Sequence, residues 1–137
     1  MRNQRASVVW IGLIVGIALC ALLAAEGLWW APLLLGFGWA FVATGRGAQF
    51  GGSLLIGLLG YGLALAWLDH GAPLAKDAVV TAEIMGFGHA GFLVFLATAL
   101  LAALLATAGT WLGRAVRLMV RPPKPRYRFR PGDWESR

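Results

Sequence analysis

The chain has 137 residues, of which 59% are hydrophobic and only 13% charged, and it carries a net charge of +6. A soluble domain is about a quarter charged, so this composition excludes an ordinary water-solvated fold and points to lipid as the solvent of most of the surface. The basic residues lie beside apolar runs, where membrane topology and anionic headgroups account for them and nucleic acid is not needed as a partner.

Arg2 and Arg5 precede the first apolar run, Val8 to Ala25, in the manner of a signal peptide. The run ends in Leu22-Leu23-Ala24-Ala25, which offers no small-x-small cleavage site, so it reads as an uncleaved first helix. Cys20 inside this run is the one cysteine of the chain. It therefore forms no intramolecular disulfide and builds no thiolate zinc site, and it reads as a small packing residue. Glu26-Gly27 closes the helix, glycine being able to take a left-handed cap. A second helix is expected over 28–44, with Pro32 in its first turn, where a missing amide costs nothing. A third is expected over 50–68, after the short loop Gly45-Arg46-Gly47. Residues 69–83 form the longest internal loop, whose Lys76 to Glu83 half is able to make a short interfacial helix. The run 84–113 then supplies a fourth helix over about 92–112, preceded by the glycine-rich stretch Gly86 to Gly91.

Four crossings place both termini on one side. Arg2, Arg5, Arg46 and the eight basic residues from Arg114 onward then share that side, and only Lys76 lies opposite. That asymmetry makes both termini cytoplasmic by the positive-inside rule. Trp29, Trp30 and Trp67 fall near the outer interface and Trp10, Trp39 and Trp111 near the inner one, as aromatic belts do.

Burial from water cannot drive helices together inside lipid, so small residues that allow close backbone approach mark the contacts. Helix one offers Gly12, Gly16, Cys20 and Ala24 at steps of four, and helix three offers Ser53, Gly57, Gly60 and Ala64. Helix two has Gly36 and Ala40, and helix four has Thr98, Ala102, Ala106, Thr110 and Gly113. These stripes serve either packing within the bundle or docking of another membrane subunit.

No Asp, Glu, Lys, Arg or His stands in the middle of a predicted span, which argues against proton-coupled transport. Neither a Walker loop, a HExxH pair, a GxSxG elbow nor a CxxC spacing occurs, so motif-borne enzymology has no foothold. The remaining polar cluster, at the outer interface, is Glu26, Asp69, His70, Asp77, Glu83 and His89. Among these His89 is a candidate tetrapyrrole ligand, because its small neighbours Gly86, Gly88, Ala90 and Gly91 leave room for a flat ring. No metal site is assigned, and no cofactor is named beyond that.

The tail, 121–137, begins Arg121-Pro-Pro-Lys124-Pro, which forbids a continuing helix. Arg126, Arg128 and Arg130 then alternate with Tyr127 and Phe129, putting cations on one face and rings on the other of an extended strand. With Arg114 and Arg117, these residues are expected to contact anionic lipid or a partner's cytoplasmic surface.

The expectation is therefore an all-α integral membrane bundle of four transmembrane helices, both termini cytoplasmic, in a bacterial-type inner (plasma) membrane. The expected role is a non-catalytic accessory or assembly subunit of a larger membrane complex. The alternatives are an autonomous small transporter or pore acting as a homo-oligomer, and a tetrapyrrole- or metal-binding subunit built on His89.

Overall fold

A computed structural model describes residues 2–43, 45–71 and 74–120. Five helices follow one another: α1 (Arg2–Ala25), α2 (Ala31–Val42), α3 (Arg46–Gly71), α4 (Leu74–Ile84) and α5 (Phe92–Val120). Three of them, through Ser7–Ala25 of α1, α3 and α5, are long and apolar enough to cross a membrane. α2 is apolar but has only 12 residues, about 18 Å at helical rise, against a hydrocarbon layer of about 30 Å. The expected helix over 28–44 is thus shortened at both ends, and α2 taken alone does not match a full crossing.

The ends have identifiable causes. α1 stops at a glycine cap: Gly27 adopts φ +83°, its N–H donates to Ala24 O, and Leu28 N–H reaches back to Leu23 O. This is a Schellman motif. The same motif closes α4, where Gly86 has φ +82° and Phe87 N–H donates to Ala82 O. Pro32 stands in the first turn of α2. α3 and α5 exceed their expected bounds. α3 starts at Arg46 and α5 runs on through Arg114 and Arg117 to Val120, because charge ends a lipid segment without ending a helix. Within the expected loop 69–83, residues from Leu74 onward are helical and belong to α4.

Side-chain neighbours fix the directions. Gly16 lies against Ile56 and Gly60 against Cys20, so α1 and α3 run parallel. Gly57 meets Ala102 and Ala103 while Phe50 packs edge-on against Trp111 with ring centroids 6.2 Å apart, so α3 and α5 run antiparallel. α2 is parallel to α5 and packs more extensively on it than on α1 or α3. α1 does not reach α5.

The central cluster comprises Leu13, Cys20, Trp39, Ala43 and Ile56. Trp39, expected in the inner aromatic belt, is only 4% exposed and packs in this core; the other five tryptophans of the expected belts, Trp10, Trp29, Trp30, Trp67 and Trp111, are exposed. Outward-facing Ile11, Ile14, Leu22, Leu101 and Leu104 are each more than 60% exposed, the pattern of a chain whose solvent is lipid.

Candidate functional site

The small-residue faces are filled by the chain's own helices. A methyl group added at Gly36 would run into the backbone carbonyl of Ala106, and one at Gly109 into that of Leu33. At Gly113 the same atom would stand 2.5 Å from Phe37 O, and at Gly57 2.6 Å from Ala102 O. Backbone approach this close brings Cα–H groups onto carbonyl oxygens, a contact that recurs between helices in membranes. Across the α1–α3 contact, Gly60 receives Cys20 and Gly16 receives Ile56, while Gly12 faces Trp39 and Val42 of α2. Ser53 is fully buried, its hydroxyl donating to Phe50 O at 2.9 Å, and Ala64 is buried.

A polar knot sits where α2 ends and α3 begins. α2's last carbonyls have no partner within the helix, and they carry the negative end of its dipole. Gln49 from α3 donates through Nε2 to Ala43 O at 3.0 Å and Ala40 O at 3.2 Å. Arg117 from α5 donates through Nη1 to the same Ala40 O at 3.1 Å. The Trp39 indole donates to Ala48 O at 3.1 Å, and Gly52 leaves the room for that ring. Three helices are tied here by one amide, one guanidinium and one indole. Arg117, expected at lipid or a partner, therefore has a bonded role inside the bundle. Neither Gln49 nor Gly109 is among the contact residues expected from the sequence. Gln49 has a signal, being the only amide side chain after Gln4.

At the opposite end the expected polar cluster is dispersed into local bonds. Asp69 Oδ1 accepts from Ala75 N–H at 3.0 Å, joining α3 to α4. His70 Nδ1 lies 2.7 Å from Ala66 O in the last turn of α3. His89 stands in the turn between α4 and α5 rather than on a helix, and its Nδ1 pairs with Glu83 while its side chain is 87% exposed. Among the described residues, no three His, Cys, Asp or Glu side chains come together in a way that would hold a metal ion. Arg114 is half-buried near the end of α5. The expected contacts through Arg121, Lys124, Arg126, Tyr127, Arg128, Phe129 and Arg130 lie outside the described residues.

Compared with protein-family models, with curated proteins and with solved structures, the chain matches none.

Proposed function

We propose that this chain is a non-catalytic subunit of a larger membrane complex, crossing a bacterial-type plasma membrane four times with both termini on the cytoplasmic side. The observation that carries this reading is the use made of the small residues. Gly36, Gly57, Gly60, Gly109 and Gly113 are all taken up in contacts between the chain's own helices, so the bundle is closed on itself and what it offers outward is apolar surface. Of the long apolar helices α1 is the one at the edge, without contact to α5, and its Ile11, Ile14 and Leu22 face away from the bundle. That face, in place of the small-residue stripes, is the docking surface. The basic end at Arg114 and the tail brace the chain against anionic headgroups and the partner's cytoplasmic side. In this arrangement α2 is the fourth crossing, its 12 helical residues flanked by the non-helical Leu28 to Trp30 at one end and Ala43 at the other.

The test is affinity purification of the tagged full chain from native membranes in mild detergent, with mass spectrometry of what accompanies it. One larger membrane protein at constant ratio is expected, with recovery reduced by the double substitution Ile11→Ala, Ile14→Ala. Recovery of the chain alone, or as a homo-oligomer, overturns the subunit reading. Orientation is tested in a Cys20→Ser background: Glu26→Cys should label from outside intact cells and Met119→Cys only after permeabilisation. The reverse pattern overturns the topology.

A further inference from the structure

α2's glycine contacts and hydrogen bonds to α5 fall between Ala106 and Arg117, so the outward halves of α3 and α5 have no such contact with α2. Between them lies a groove of about 480 Å³, with Gly62, Leu65 and Asp69 on the α3 side and Phe92, Phe95 and Ala99 on the α5 side. The groove is more open than enclosed. It is apolar except at Asp69. Its electrostatics have one sign: Asp69 lies two residues before α3 ends at Gly71, where the helix dipole is also negative. Along the outer segments Glu26, Asp69, Asp77 and Glu83 stand against the single cation Lys76.

We propose that the α3–α5 groove binds a single-chain amphiphilic cation, its alkyl or aryl body between Leu65 and Phe95 and its ammonium head at the Asp69 carboxylate. Charge selects the cation, since an anionic head would meet Asp69 and the terminal carbonyls of α3 as like charges. The Phe92 ring, which lines the groove together with Asp69, adds a face that attracts a cation. Size selects one chain: from Gly62 to Asp69 the groove runs about 10 Å along α3. The Ala75 N–H bond to Asp69 Oδ1 holds the carboxylate in place before the ligand arrives. This inference is independent of the subunit reading.

The experiment is equilibrium binding of radiolabelled octyltrimethylammonium to the full chain in phosphatidylcholine nanodiscs, with empty discs subtracted. Saturable binding of one molecule per chain is expected. Asp69→Asn should weaken it about threefold, since a trimethylammonium head donates no hydrogen bond and an ion pair at an exposed carboxylate is worth about 0.2–1 kcal/mol, while Asp77→Asn should not. Asparagine retains an oxygen for the Ala75 N–H, so the α3–α4 junction survives the change. Ala99→Leu, which fills the groove without altering charge, should also weaken binding about tenfold. Absence of saturable binding, unchanged affinity in either variant, or equal competition by octyl sulfate or octanol overturns the proposal. Displacement by phosphatidylethanolamine at equal concentration would assign the groove to a two-chain lipid and overturn it as well.

Discussion

The Thr110 hydroxyl donates to the Gly36 carbonyl oxygen at 2.9 Å, linking α5 to α2 across 74 positions of sequence. It also lies 3.0 Å from Ala106 O, so a single proton is directed between two helices at their closest approach. Thr110→Val should cost about 0.6 kcal/mol, the average for interhelical hydrogen bonds in membranes, and no more than about 1.7 kcal/mol. Thr110→Ser should keep most of it. Unfolding in mixed micelles with increasing dodecyl sulfate, followed by circular dichroism, measures both.

Gly36 and Gly38 stand two residues apart in α2 with opposite surroundings. A methyl group at Gly36 collides with the Ala106 backbone, whereas one at Gly38 meets nothing within 4 Å. Gly38→Ala should therefore stabilise the bundle by up to about 1 kcal/mol through helix propensity. Gly36→Ala should destabilise it by about 1–3 kcal/mol, because backbone cannot give way as a side chain does. The same dodecyl sulfate titration should move in opposite directions for the two variants.

Gln49 and Arg117 both serve Ala40 O, which makes them partly interchangeable. Each single change, Gln49→Leu or Arg117→Met, should cost about 1 kcal/mol, since the other donor still reaches the carbonyl. The double variant should cost more than the sum by about 0.5 kcal/mol or more. Strict additivity in the double-mutant cycle would show that the two donors act separately.

Cys20 is completely buried against Gly60. In detergent that preserves the fold, a small maleimide should not modify it; after dodecyl sulfate unfolding, modification should be complete. Mass spectrometry reads both. Reaction in the folded state would mean that α1 separates from α3 without global unfolding.

His89 and Glu83 form a pair on the surface, with the His89 side chain 87% exposed. His89→Ala should change stability by no more than about 0.5 kcal/mol. The visible spectrum and metal content of the purified protein should be the same with and without the histidine. A band lost in the variant would establish ligation by His89.

Hydropathy made the long helices legible, because an apolar run of spanning length has few other readings. It did not make their ends legible. α5 continues past Arg114 and α3 begins at Arg46, since hydropathy reports where lipid stops while Gly27, Gly86 and Pro32 report where backbone geometry changes. The stripes at Gly12, Gly16 and Cys20 and at Gly57 and Gly60 stand out through their spacing of four and of three residues, each along one helix face. Gly109 does not, falling between Ala106 and Thr110 among other small residues. Position along a helix implies depth, which puts Trp39 in a belt, whereas the inward face of an almost uniformly apolar helix such as α2 leaves no pattern in the sequence. The knot at Gln49 and Arg117 joins three helices through backbone carbonyls, which carry no residue code at all.

α2 finds its most extensive contacts on α5, the last of the described helices to be made. At a synthesis rate of about 5–20 residues per second, the 74 residues between Gly36 and Thr110 take roughly 4–15 s to emerge. For that interval a 12-residue helix waits beside α1 and the growing α3 without its principal contact. The order of synthesis thus makes α5 the element that completes the membrane domain, and a chain truncated before Thr110 would leave α2 the first part exposed to membrane quality control.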